Sequence, residues 1–227
     1  MTDLLQAIND LQGFTRNSLT KRIKALESSL ENADANTCST ILAREFVSNE
    51  LLTSAFQLKR TARQIDTMVH ALGILLALPH LLQPNEQIEY LSLGAGNTGR
   101  AFDLETTQRV AEFKFINWQG GSETIRQNSL FKDFFLLAEY PTPKRKFLYV
   151  LGKKYPLKFF RGSRSLASVM SRNRKLWEEL QSKYADQFTT VEEYYSDKHD
   201  EVIIEDISAV IGGTFPSDGG LNSNSET

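Results

Sequence analysis

Three residues near the middle of the chain, Asp103, Glu112 and Lys114, have the types and spacing to gather around a divalent cation. Arg100-Ala-Phe-Asp-Leu-Glu-Thr106 alternates apolar and polar side chains, and Arg109-Val-Ala-Glu-Phe-Lys-Phe115 does likewise, so both stretches read as strands. On the first, Phe102 and Leu104 share one face while Asp103 and Glu105 share the other. On the second, Ala111, Phe113 and Phe115 oppose Val110, Glu112 and Lys114. With Thr107-Gln108 as a hairpin loop, position 106 pairs with 109 and position 103 with 112. Phe102 and Leu104 then lie beside Phe113 and Ala111, and Asp103 faces Glu112 with Cβ atoms about 4.5–5.5 Å apart. Two carboxylates that close repel unless a cation lies between them. Magnesium suits the place, because one or two carboxylates plus waters and phosphate oxygens complete its shell. Lys114, on the same face as Glu112, adds a second positive charge. The plainer alternative is a solvent-exposed polar face on which Glu112 and Lys114 simply pair. The apolar residues flanking the acids, and the glycine-rich loop before them, favour the metal.

The elements that must position these residues follow from periodicity. Leu4, Leu5, Ile8 and Leu11, then Ile23, Leu26 and Leu30, fall at helical spacing, with Ser18 as a start signal for the second helix. Further helices are predicted over 43–58 and 61–78, the last closed by Pro79 and Pro84. The pattern then changes to strands over 88–93, 101–106 and 109–117, a helix over 122–139 and a strand over 147–151. An extended piece at 156–160, a helix over 165–184 and a strand over 202–207, with 210–211 as its extension, complete the reading. The chain is thus α/β. Residues 1–58 form a helical region with no cluster suited to metal or nucleophile chemistry, 59–214 form the domain that carries the acids, and 215–227, rich in Ser, Gly and Asn, are expected to be disordered. The apolar stripe of the first region must be buried, either against the rest of the chain or against a second copy in a homodimer.

The order helix, three strands, helix, strand, with Asp103 on the second strand and Glu112-Phe113-Lys114 on the third, resembles the PD-(D/E)XK nuclease superfamily, the restriction-endonuclease-like fold. The likeness spans about 61–152, under half of the chain. The proline expected before the first acid is Phe102, and helix 61–78 has no glutamate and offers only Asp66, while Glu45 and Glu50 lie on the preceding helix, so the further acidic position found in some members is left unassigned. The resemblance implies an α-β-β-β-α-β core, a mixed sheet flanked by helices, with an N-terminal helical extension. It implies a magnesium- or manganese-dependent nuclease that hydrolyses phosphodiester bonds, of DNA more than of RNA. Asp103 and Glu112 would hold the ion, with the Phe113 carbonyl as a further ligand. Lys114 would orient water or neutralise charge on the phosphate. Gln127 would position water or phosphate, against the equal reading of an ordinary helix-surface amide. The alternative from another class is a catalytically inactive nucleic-acid-binding or assembly module with the same fold. The intact Asp, Glu and Lys set favours catalysis.

Charge distribution agrees with a polyanionic partner. Residues 126–175 hold thirteen basic residues against Asp133 and Glu139, a local balance of +11 in a chain whose net charge is −2. Lys132, Lys144, Arg145 and Lys146 lie in this block and are the expected phosphate contacts. A solvated surface with no partner explains the charge alone equally well. The single cysteine, Cys38, excludes an internal disulfide and fits a reducing compartment. The apolar run 68–82 is short for a membrane span and contains His70, Pro79 and His80, so it reads as a buried helix. No secretory leader is apparent, and the expected location is cytoplasmic, with no membrane partner. Gly94-Ala-Gly-Asn-Thr-Gly99 matches a dinucleotide-binding fingerprint, but a strand follows it where that fingerprint requires a helix. His70, His80 and His199 have no zinc spacing.

Overall fold

The structure, a computed structural model, describes residues 4–16, 18–94, 101–118 and 123–211. Helices α1 (Leu4–Thr15), α2 (Leu19–Leu30), α3 (Ala35–Arg44) and α4 (Asn49–Leu81) precede the first strand. Strands β1 (Ile88–Leu91), β2 (Leu104–Thr106) and β3 (Arg109–Asn117) follow, then α5 (Thr124–Glu139) and β4 (Arg145–Leu151). Helices α6 (Lys154–Phe160), α7 (Leu166–Met170), α8 (Arg174–Tyr184) and α9 (Val191–Lys198) lead to β5 (Val202–Asp206). The strands form one open mixed sheet in chain order. β1, β2 and β3 run antiparallel, as the two-residue loop between β2 and β3 requires. β3, β4 and β5 run parallel, so each of the last two joins is a helical crossover.

The described residues form two compact units, one up to Asp66 and one from Thr67 onward. The first is a set of helices with a small interior: Ala7 and Ile41 are its buried apolar residues among those described. Polar ties hold it instead. Arg22 Nη1 donates to Glu45 Oε2 over 2.5 Å and its Nη2 donates to the Glu45 carbonyl, while Ser54 Oγ donates to Asp10 Oδ2 at 2.9 Å.

The second unit is the sheet with helices on both faces. On one side Ile74, Ala77 and Leu78 of α4 cover Leu104, Ala111, Phe113, Phe147 and Tyr149. On the other, α5 brings Leu130, Phe131 and Phe134 onto Val110, Leu148 and Val150, together with Phe160 and Tyr194 from the later helices. β4 is covered on both sides, which is why its sequence is continuously apolar from Phe147 to Leu151 rather than alternating. Gly73 permits the close approach of α4 to β3: a Cβ there would lie 2.3 Å from the Phe115 ring.

Several expectations change. Helix α4 is a single 33-residue helix, with Pro79 inside its last turns rather than ending it. It buries Ile74, Ala77, Leu78 and Leu81 but exposes Met68, Val69, Leu72, Leu75 and Leu76, so only one face of the expected buried helix meets the sheet. By length and composition it is long and apolar enough to cross a membrane. The strand expected from 101 begins at Leu104, because the chain bends over 101–103. Phe102 therefore packs edge-on to Tyr140 in the core on the α5 side and does not share a face with Leu104. Residues 154–160 are helical, with Pro156 in the first turn where its missing N–H costs nothing. The expected helix 165–184 breaks at 171–173 into α7 and α8, and residues 210–211 do not extend β5. The expected Gly94–Gly99 turn beyond Gly94, the first residue of the helix placed at 122, and the tail 215–227 lie outside the described residues.

The β2–β3 hairpin is anchored by a buried polar knot. Glu86 accepts from Arg109 Nε and Nη2, each at 2.6 Å, and from Thr106 Oγ1 at 2.5 Å. Arg109 Nη1 donates to the Tyr149 hydroxyl at 2.8 Å, and Thr106 Oγ1 accepts from the Arg109 amide. Burial opposes charge on Glu86, but the Arg109, Thr106 and Gln83 donors outweigh it and hold the carboxyl below its ordinary value of 4.5. Glu86→Gln leaves the Arg109 cation buried beside a neutral partner and is expected to cost about 3–5 kcal/mol in urea unfolding at neutral pH. Because the folded pKa of Glu86 is depressed, its contribution is present above the ordinary value and is lost as pH falls through the folded one. The gap between wild type and variant should therefore narrow below pH 4.5.

Candidate active site

Register decides whether the acids meet. Leu104 pairs with Ala111 and Glu105 with Val110, the register of the hairpin loop Thr107-Gln108. Asp103 lies in the bend just before β2, outside this ladder, and reaches β3 and α4 through its side chain, near enough for its charge to act on Glu112. Asp103 Oδ2 accepts the Phe113 N–H at 3.0 Å, and its Oδ1 lies 3.3 Å from His70 Nε2 on α4. Phe113 enters the site through this amide. Glu112 and Lys114 point to the α5 side of β3, where Lys114 Nζ donates to Glu112 Oε1 at 2.6 Å and lies 2.9 Å from Asp133 Oδ2. The Glu112 and Asp133 side chains are only 13% and 7% exposed, so Lys114 bridges two sheltered carboxylates.

Negative charge exceeds positive here. Burial raises the Glu112 pKa first; Lys114 opposes that, and Asp133 and Asp103 add to it, leaving the carboxyl pushed up to about 7. Burial by itself would lower the Lys114 pKa, but Asp133 and Glu112 reverse the sign and hold the ammonium charged well above its ordinary range. Among the described residues no group of three or more His, Cys, Asp or Glu side chains is gathered as a ready-made metal cage. The donors suit a different sort of ion. Asp103 and Glu112 offer hard oxygen ligands in a site short of positive charge, and magnesium needs only one or two carboxylates when substrate and water supply the rest.

The other expected residues divide. Gln127, on α5, accepts through Oε1 from Arg164 Nη1 and lines a neighbouring pocket with Trp118 and Tyr155. Lys144 donates to Glu89 and Glu105, and Lys146 is buried with Nζ on the Ala138 carbonyl at 2.7 Å. Arg145 is exposed beside the Phe147 ring, and Lys132 lies 3.7 Å from Asp133 Oδ1. The expected basic group is thus partly consumed by internal contacts: Lys144, just before β4, meets Glu89 of β1 and Glu105 of β2, and Lys146 lies near Glu201, just before β5. Two residues that spacing did not single out as partners of the acids are Asp133 and His70. The helical offset from Ser129 and Leu130 puts Asp133 on the buried side of α5, and an acid on an otherwise apolar helix face was the available signal.

Comparison with protein-family models, curated proteins and solved structures finds no match for this chain.

The charge imbalance has a measurable sign. Without metal, Glu112 costs stability as pH rises from its ordinary value of 4.5 through about 7. Glu112→Gln should therefore stabilise metal-free protein at pH 8 by roughly 1–3 kcal/mol. That gain should vanish by pH 4.5, as read from chemical denaturation across pH.

Proposed function

We propose that the Asp103–Glu112–Lys114 site hydrolyses phosphodiester bonds of nucleic acid, with DNA as the leading substrate and magnesium or manganese as the ion. The observation that carries this reading is a sheltered place with negative charge in excess, where Lys114 and Glu112 of β3 pair and Asp103, at the entry to β2, lies near enough to act on Glu112. The order of the strands and of α4 and α5 around them is compatible with the restriction-endonuclease-like core whose motif these residues resemble.

The residues have separable tasks in this reading. Asp103 and Glu112 would hold the ion, with the Phe113 carbonyl as a candidate third donor, and the ion would lower the pKa of a bound water and polarise a phosphoryl oxygen. His70 and the Phe113 amide orient Asp103. Lys114, kept protonated by Glu112 and Asp133, faces the negative charge that grows on the phosphate. Asp133 acts through Lys114 and is a positioning residue. Arg145 and Lys132 remain the best placed of the expected phosphate contacts, since Lys144 and Lys146 are tied internally.

A second reading, a catalytically silent nucleic-acid-binding module, is favoured by one observation: Lys114 already bridges Glu112 and Asp133, as a residue retired to a structural role would. Two measurements separate the readings. Magnesium should raise the thermal midpoint of the wild-type protein and not of Asp103→Ala or Glu112→Ala. Cleavage of DNA should require the ion and fall below detection in both variants. Lys114→Ala should bind the ion yet lose about 100- to 1,000-fold in kcat. Binding of DNA with no ion-dependent cleavage leaves the silent module.

Asp133→Asn is expected to lower kcat about 10- to 100-fold with little change in KM. It should also move the alkaline limb of the pH–rate profile down, since the Lys114 ammonium loses one of the two carboxylates that hold its proton. An unchanged limb would confine Asp133 to packing.

A further inference from the structure

Beyond Lys114, strand β3 carries a second feature of different chemistry. Between Lys114 and Asn117 its pairing with β4 slips: Lys114 faces Val150 while Asn117 faces Leu151, so extra residues bulge out of β3. Trp118 follows. It is 8% exposed, and its Nε1–H is buried with no acceptor among the described residues. A buried indole donor left without a partner is unfavourable unless something else accepts from it. The indole lines two cavities. One is a narrow cleft with Lys114, Arg126 and Ser129. The other is an open pocket of about 270 Å³, formed with Gln127, Tyr155, Lys158, Phe159, Gly162 and Arg164.

The second pocket has the surfaces that an unstacked nucleotide needs. Tyr155 and Phe159 surround the indole at ring-centroid distances of 6.3 and 6.2 Å, tilted by 33° and 53°, so neither is stacked flat on it. Tyr155 is partly exposed and has Lys154 Nζ 5.5 Å from its ring centre. Lys158 is exposed and makes no ion pair among the described residues. Arg164 is steadied at the rim by Gln127 and Ser168. Aromatic faces take bases, cations take phosphates, and a buried N–H takes a base carbonyl or a phosphate oxygen. A paired base inside a duplex has both faces covered and cannot use such a pocket.

We propose that this pocket receives one unpaired nucleotide of a DNA strand, its base against Tyr155 and Trp118 and its phosphate on Lys158 and Arg164. The inference rests on reading the Glu112–Lys114 site as a phosphodiester-cutting centre, since Trp118 lines both the pocket and the cleft of Lys114. It makes the substrate a strand that is single-stranded, or opened, on one side of the bond to be cut.

The test separates this inference from the one beneath it. The chain has two tryptophans, so full-length protein with Trp177→Phe reports Trp118 fluorescence alone. In EDTA, a short non-self-complementary single strand should quench that signal saturably. Fluorescence anisotropy should show it binding at least tenfold more tightly than a closed duplex of the same sequence. Tyr155→Ala should weaken single-strand binding roughly 5- to 100-fold, while Tyr155→Phe should retain it. Trp118→Phe, which keeps a ring but removes the donor, should weaken it about 3- to 10-fold. Lys158→Ala should lower the salt dependence by about one phosphate contact. Equal affinity for the closed duplex, or full affinity in Tyr155→Ala, overturns the pocket. Magnesium-dependent cutting of a duplex with no Trp118 response also overturns it while leaving the nuclease reading in place. Single-strand binding that shows the Tyr155 and Trp118 effects without any cleavage keeps the pocket and removes the nuclease.

Discussion

The buried knot of Glu86, Arg109 and Thr106 is the constraint on which the arrangement of the second unit depends. A strand slipped by one residue turns every side chain to the opposite face. β2 is only three residues long, so its two pairings with β3 are too few to fix a register by themselves. Glu86 bonds to the last residue of β2 and the first of β3 at once, and Arg109 reaches on to Tyr149 of β4. Replacing such a group with apolar residues would often be neutral or better for stability. Its value here lies in specificity: only one pairing of the hairpin satisfies all the donors, and that pairing brings the entry to β2, with Asp103, beside the Phe113 amide of β3.

What the knot does for geometry, Lys114 does for charge. Two sheltered carboxylates, Glu112 and Asp133, share one ammonium, Asp103 adds its charge nearby, and the cost of that excess falls on Glu112. A wholly structural site would be expected to balance its charges, because an uncompensated buried ion is costly. Here the imbalance is relieved by a proton at low pH and can be relieved by a cation at neutral pH. Lys114 is not free to supply all of it, since its single charge is divided between Glu112 and Asp133.

The hairpin and its register were legible because alternation and loop length are local properties. Val110, Glu112 and Lys114 share a face as the period of two requires, and Thr107-Gln108 is the loop. Phe102 escaped that logic because the chain bends just before β2, and a bend restarts the alternation. The extended piece expected at 156–160 is instead part of α6, since proline is harmless in the first turn of a helix. Helix α9 had a readable start: Thr190-Val-Glu-Glu193 forms a capping box in which each side chain meets the other's backbone. Asp133 and His70 belong to a different category. Their partners lie on β3 and at the entry to β2, and no local pattern on a helix states which strand residue it will meet. The same holds for Lys144 and Lys146, whose basic run suggested an open surface, whereas Glu89 of β1, Glu105 of β2 and Glu201 before β5 come to meet them.

Strand β3 finally explains why the features of this unit fall in line. It begins at the knot with Arg109, carries Glu112 and Lys114 through a stretch paired in register with β4, and leaves the regular ladder after Lys114. Regular pairing with β4 steadies this stretch, which suits side chains whose spacing must hold against mutual repulsion. The bulge lies where that rigidity is no longer needed, and bulges commonly re-aim the residues beyond them. Here the residue beyond is Trp118, which stands between the Lys114 cleft and the aromatic pocket. The break in pairing lets one strand carry both the charged centre and the wall of a pocket suited to a planar, anionic ligand.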